Sequence, residues 1–289
     1  MNTTRYESPA TVGDAVRLLQ ADPEARVLAG GTDLLVQARA GSVRPSAFID
    51  LKRIPELVAL TVDHRGARLG AATPAAAICE HPEMRRLWPG LVEAVHLIGS
   101  MQIQGRGSVG GNLCNGSPAA DTTCPLIVNR ARAVIVGPEG ERIVDVEGFC
   151  TGPGRTILGR DEVLVAILVP RPAPRTADAY LRLIPRSEMD IAVAGAAVSV
   201  TVDAAGTCTA ARVAIGAVAP TALLVPEASQ ALLGTKLDEK ALARASAAAS
   251  AAAKPIDDRR GTAAYRRTVV GVLTARAASL AAARASTTR

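Results

Sequence analysis

The stretch "GRGSVGGNLCNGSPAADT", residues 105–122, decides how this chain is read. Five glycines fall within 12 residues: Gly105, Gly107, Gly110, Gly111 and Gly116. Ser108 and Asn112 bracket the central pair. Glycine-dense loops of this kind let backbone approach a ligand closely, because no Cβ stands in the way. The segment closes on Ser117-Pro118, which predicts a helix start with Ser at the N-cap and Pro at the first helical position. Asp121 would then lie about one turn into that helix.

A second glycine turn lies upstream in "VLAGGTDLLVQ", residues 27–37. A short strand ends at Gly30-Gly31, and a helix is predicted to follow with Thr32 as its N-cap and Gly41 just past its end. Successive backbone N–H groups beside the positive end of a helix suit a phosphate. The spacing is neither G-x-G-x-x-G nor a Walker A loop, so a Rossmann-type site is excluded. By itself the Gly-Gly turn serves equally to join strand to helix. Two such loops in one domain imply a cofactor that carries a diphosphate.

Working outward, the first third alternates helices and short strands. Val12, Ala15, Val16 and Leu19 repeat at helical spacing, and "AFIDL" reads as a strand. Hairpins are predicted at Asp63–Gly66 and at Gly137–Gly140. "EVLVAILVP" is an apolar strand stopped by Pro170. The proline-rich, basic run 170–176 separates this part from a second one. There, residues 191–219 form a long antiparallel hairpin turning at Asp203–Gly206, and the chain after Pro226 is helical. The alanine-rich stretch 241–253 is a good helix former rather than disorder.

The 289 residues are 48% hydrophobic and 21% charged, the balance of a globular protein with room for two domains. Aromatics are only 2%, so alanine, valine and leucine must fill the core. The net charge of +6 is local: residues 254–289 carry eight basic and two acidic side chains, and the rest sums to zero. Without a nucleic-acid reading motif, a basic helical face that meets an acidic partner subunit is preferred over nucleic-acid binding, and a merely solvated face is the equal alternative. "MNTTRYESPATVGDAV" has no apolar leader segment, and no apolar run is long enough to span a bilayer. A cytoplasmic location is expected. The five cysteines, Cys79, Cys114, Cys124, Cys150 and Cys208, are scattered, with His64, His81 and His96 isolated. Reduced thiols are expected, with no metal or iron–sulfur ligation in this chain.

Taken together, "AGGTDLL", "GSVGGNLCNGSPAADT", "AYLRLIPRSEMDIAVAGAAV" (179–198) and, more weakly, "KPIDDRRGTAAYRR" (254–267) resemble the FAD-binding medium subunit of the xanthine dehydrogenase and carbon monoxide dehydrogenase family, the molybdenum hydroxylases. These motifs span the whole chain in the family's order. The resemblance implies an α+β fold. A vanillyl-alcohol-oxidase-like FAD domain of two α/β subdomains (about 1–58 and 59–176) would precede a C-terminal domain, 177–289, of three-stranded antiparallel sheet plus helical bundle.

It implies non-covalent FAD, with Ala29, Gly30, Gly31, Thr32, Asp33 and Leu34 cradling the pyrophosphate. Ser108, Val109, Gly110, Gly111 and Asn112 would do so from the other side. A side chain at Gly110 would then exclude the cofactor and leave the chain folded. Asp121 would bind flavin-nucleotide hydroxyls, and Leu164 and Ile98 would contact the ring system. Arg182 stands where many relatives have lysine near the isoalloxazine. A solvated strand cation is the equal alternative for it.

The implied role is an electron-transfer subunit with no catalytic side chain of its own. It would take electrons from a small [2Fe-2S] subunit, beside a large molybdopterin subunit, in a dimer of heterotrimers. NAD, a quinone or another acceptor would receive them. A self-contained FAD oxidase or reductase and a non-catalytic adaptor are the competing readings. Neither a paired carboxylate nor a histidine falls in the motifs to serve as a base beside a flavin.

Overall fold

The computed structural model describes residues 4–287. The chain begins with β1 (Arg5–Glu7), α1 (Val12–Ala21), β2 (Arg26–Leu28), α2 (Leu34–Arg39), β3 (Ala47–Asp50) and α3 (Pro55–Val58). Thr11 caps α1 by accepting from the Asp14 amide at 3.1 Å, and Val12, Ala15, Val16 and Leu19 form its buried face. The three strands make a parallel sheet in the order β1-β3-β2.

The second unit holds β4 (Leu60–Val62), β5 (Gly66–Gly70), α4 (Ala75–Glu80), α5 (Pro82–Leu87), α6 (Pro89–His96), α7 (Met101–Gln104), α8 (Val109–Cys114) and α9 (Thr123–Val128). It continues with β6 (Arg132–Gly137), β7 (Gly140–Asp145), β8 (Cys150–Gly152), β9 (Arg155–Thr156) and β10 (Val163–Pro170). Its five-stranded antiparallel sheet runs β4-β5-β10-β6-β7, and β8 and β9 pair separately. Strand alternation sends Val134, Val163 and Val165 to the core shared with the parallel-sheet unit. Ile135, Leu164 and Ile167 face the helices on the other side. Trp88 is fully buried there, and its indole N–H donates to the Pro170 carbonyl at 3.2 Å.

The third unit comprises β11 (Thr176–Leu183), β12 (Ala194–Val202), β13 (Cys208–Gly216), β14 (Leu223–Leu224), α10 (Pro226–Leu232), α11 (Glu239–Ala252) and α12 (Ala263–Thr287). The antiparallel sheet has four strands, β11-β12-β13-β14, rather than three, because two residues after β13 add a short edge. One face, with Ala194, Ala196, Val198 and Val200, packs on the helices. The other, with Tyr180, Ala197 and Ala214, joins the core of the second unit. Alanine makes this packing close. Gly271 of α12 lies so near α11 that a Cβ would meet Ser250 Oγ at 2.3 Å. A mixed α/β first part followed by an antiparallel sheet with helices is the fold the sequence led us to expect.

Two local expectations are corrected. The helix after Gly31 starts one residue later than expected, with Asp33 rather than Thr32 at its N-cap and no side-chain cap bond. Ser117-Pro118 does not open a helix. Ser117 Oγ accepts from the Ala119 amide and its carbonyl from Ala120, a local turn that competes with helix. The chain turns again before α9 begins at Thr123, so Asp121 lies outside a helix.

Candidate functional site

A cleft of 270 Å³ opens where the two glycine loops meet. Gly30-Gly31 follows the C-terminal end of β2, and Gly107-Ser108 leads into α8. The loops touch: a Cβ on Gly30 would lie 1.9 Å from the Arg106 carbonyl oxygen. Gly31 has φ +76°, the left-handed region that favours glycine. Ser108 caps α8 by accepting from the Gly111 amide at 3.0 Å.

The backbone amides of five successive residues, Gly30 to Leu34, have no acceptor within the described residues. All five residues line the cleft. Unpartnered amides in a row form a site for an oxyanion, because each N–H presents partial positive charge without a bulky side chain. Asp33 reaches solvent at the cleft mouth, yet burial of its inner side pushes its carboxyl above the usual range. It accepts from Asn115 Nδ2 at 3.3 Å, and Asn115 Oδ1 accepts from Gln37 Nε2 at 3.2 Å. This amide chain ties α2 to the end of α8.

Of the residues singled out in the sequence, Ala29, Gly30, Gly31, Thr32, Asp33, Leu34, Ile98, Ser108, Gly110, Gly111, Asn112 and Leu164 line the cleft. Val109, Asp121 and Arg182 do not. Val109 is 2% exposed and belongs to the core. Gly110 lines the cleft with its backbone, but its Cβ direction faces the Ala71 carbonyl oxygen at 2.4 Å. The expectation that a side chain there would merely block a ligand is therefore corrected: it would push α8 off the strand end. Gln37, Asn115, Leu158 and Glu162 also line the cleft and were not anticipated. Asn115, three residues past Asn112, and Gln37, one turn past Asp33, were accessible from helical spacing. Leu158 and Glu162 come from an irregular segment with no sequence signal.

Asp121 and Arg182 meet each other. Arg182 donates to one Asp121 oxygen at 2.5 Å and the Tyr180 hydroxyl donates to the other at 2.7 Å. Burial raises the Asp121 carboxyl above its usual range, against the lowering by Arg182 and Tyr180. Burial and the neighbouring carboxylate hold the Tyr180 phenol well above its own. The solvated-cation alternative for Arg182 is excluded, since its side chain is 6% exposed. Its Nε is buried without a partner. Thr122 continues the link toward the cleft by donating to Asn112 Oδ1 at 2.7 Å.

Within the described residues, three of the eight basic side chains of the C-terminal segment pair with carboxylates of this chain. Arg260 pairs with Asp190, buried Arg266 with Asp258, and Arg284 with Glu93 of α6. Arg267 donates to the Ala253 carbonyl. Arg289 lies outside the described residues. No group of three or more metal-ligating side chains occurs among the described residues, and no described helix is long and apolar enough to cross a membrane.

Residues 2–172 match the family described as FAD binding domain in molybdopterin dehydrogenase, and residues 179–281 match the CO dehydrogenase flavoprotein C-terminal domain. The chain is 37% identical over 280 residues to the carbon monoxide dehydrogenase medium chain of Hydrogenophaga pseudoflava, covering 96% of this chain and 97% of that one. It is 35% identical over 239 residues to a xanthine dehydrogenase FAD-binding subunit of Escherichia coli, covering 82% of each. Among solved structures, carbon monoxide dehydrogenase from Hydrogenophaga pseudoflava superposes with a TM-score of 0.93 at 37% identity, over 97% of both chains. Quinoline 2-oxidoreductase from Pseudomonas putida gives 0.92 at 28% identity, over 98% of both. The donor set of the cleft fits the diphosphate of such a nucleotide: unpartnered amides on one loop, a capped glycine loop opposite, and no side-chain phosphate ligand required.

Proposed function

This chain belongs to the family of FAD-binding medium subunits of the molybdenum hydroxylases, and from that premise we propose how it serves as one. The row of unpartnered amides from Gly30 to Leu34 carries the reading. These amides bind the pyrophosphate of FAD from one side, and the Ser108–Asn112 loop from the other. Val109 supports that loop from within the core. Ile98 and Leu164 supply the apolar wall for the ring system. Asp121 and Arg182, which do not line the cleft, act on it as a pair through Thr122 and Asn112. FAD held there supplies a carrier that exchanges electrons singly with an iron–sulfur centre and in pairs with a final acceptor.

The chain itself binds and orients. Among the described residues no histidine lines the cleft, and its two carboxylates, Asp33 and Glu162, are held by Asn115 and by Arg142 rather than paired as an acid and a base. Its electrons therefore come from a small [2Fe-2S] subunit, with substrate oxidised on a large molybdopterin subunit, in a cytoplasmic dimer of heterotrimers. NAD, a quinone or another acceptor takes them on. The relatives' names, medium chain and FAD-binding subunit, support a multi-subunit complex, and no observation favours the self-contained oxidase or the adaptor.

The test has two parts. Purified chain should carry one FAD that acid releases intact; protein that takes up no FAD would refute the reading. FAD-loaded chain, mixed anaerobically with candidate aldehydes, N-heterocycles or carbon monoxide, should keep its flavin absorbance until both partner subunits are added. Bleaching of the chain alone would establish a self-contained oxidase instead.

A further inference from the structure

Lys52 lies just past β3, and its Nζ donates to the Ala29 carbonyl at 2.7 Å and to Asp50 Oδ1 at 2.5 Å. Asp50 is 6% exposed and also accepts from the Tyr6 hydroxyl and from the Lys52 amide. Residues from β1 and β3 thus fix one ammonium group on one carbonyl of the first glycine loop. That carbonyl belongs to the peptide joining Ala29 to Gly30. A trans peptide is planar, with its C=O and N–H on opposite sides, and the described chain contains no cis bond. Holding the oxygen toward Lys52 turns the Gly30 N–H the other way. Ala29 and Gly30 line the cleft and Lys52 does not.

We propose that Lys52 is a positioning residue for the pyrophosphate cradle, aiming the first of its amides by anchoring the Ala29 carbonyl from behind. The need follows from the glycines. A peptide next to Gly30-Gly31 flips at little conformational cost. A flip would present the carbonyl oxygen to the phosphate in place of the amide, exchanging attraction for repulsion. Lys52 does not act as a free cation, because Asp50 compensates its charge.

The inference rests on the flavin reading above, and the experiment separates the two. Affinities of the full chain for FAD, ADP and riboflavin are measured for wild type, Lys52→Met and Lys52→Arg, with folding checked by circular dichroism. Lys52→Met should weaken FAD and ADP in parallel, by about tenfold, the scale of one lost charge-assisted hydrogen bond, and leave riboflavin unchanged. Lys52→Arg, which keeps a donor, should recover most of the loss. Lys52→Gln, a shorter neutral donor, replaces Lys52→Met if the latter does not fold, with the same parallel loss expected. Unchanged FAD affinity in a folded variant, equal loss of riboflavin, or failure of arginine to rescue would overturn the role. A wild-type chain that binds none of the three overturns the flavin reading itself.

Discussion

Arg182 and Asp121, 61 residues apart in sequence, form a buried ion pair at 2.5 Å with side chains 6% and 10% exposed. The cation of the third unit is neutralised by a carboxylate of the second, and Tyr180 completes the carboxylate's hydrogen bonds. Removing one member leaves the other charged and dry, which costs about 3–5 kcal/mol, whereas removing both is far cheaper. Asp121→Asn and Arg182→Met should each destabilise the chain on that scale in urea denaturation. The double variant should recover a large part of the sum. Strict additivity would show that the two do not interact.

The glycines divide by what a Cβ would meet. Gly30→Ala and Gly110→Ala would drive a methyl into backbone, at 1.9 Å from the Arg106 oxygen and 2.4 Å from the Ala71 oxygen. Both should lower the thermal midpoint as well as abolish FAD binding. Gly111→Ala meets only the Ser108 hydroxyl, at 3.0 Å, and should fold normally with weakened FAD binding. Equal midpoints for all three variants would contradict this division.

Asp178 of β11 accepts from the Gly90 and Leu91 amides of α6 and from Asn129, and so joins the third unit to the second. Burial raises its carboxyl to about 6, with Glu93 adding to the rise and the three hydrogen bonds opposing it. The folded value lies above the unfolded one, so the ionised form costs stability, and the cost is relieved as pH falls through 6 and is gone below about 4. Relative to Asp178→Asn, the wild type should gain as pH drops from 7 to 4, by at most about 3 kcal/mol. A pH-independent difference between the two would rule this out.

Arg266 and Arg276 both lie on α12, but only the first is buried. Arg266 donates to the Val193 and Ala217 carbonyls and pairs with Asp258. Arg266→Met strands these acceptors and should cost about 3 kcal/mol in denaturant melts, while Arg276→Met, at an exposed position, should stay within about 0.5 kcal/mol. Similar costs would mean that the buried contacts carry no stability.

Local chemistry was legible from the residues alone. Glycine placement announced both loops, because the φ of Gly31 favours glycine and the contact between Gly30 and Arg106 leaves no room for a Cβ. Alternation announced β12 and β13, and the low aromatic content announced an alanine-packed helical layer. The order of motifs along the chain pointed to the family.

What the tertiary structure decided were pairings set by register and packing. Arg182 meets Asp121 because β11 lays Tyr180 and Arg182 against the turn before α9; neither residue's neighbours in sequence encode that distance. The same holds for Gly110, whose free side is spent on Ala71 rather than on a ligand, and for the arginines of α12, which read as a surplus of charge until their partners Asp258 and Glu93 come into view. A charge or a glycine declares its chemistry locally, but its partner is chosen by how separate elements close-pack, and that choice is made only when the chain is folded.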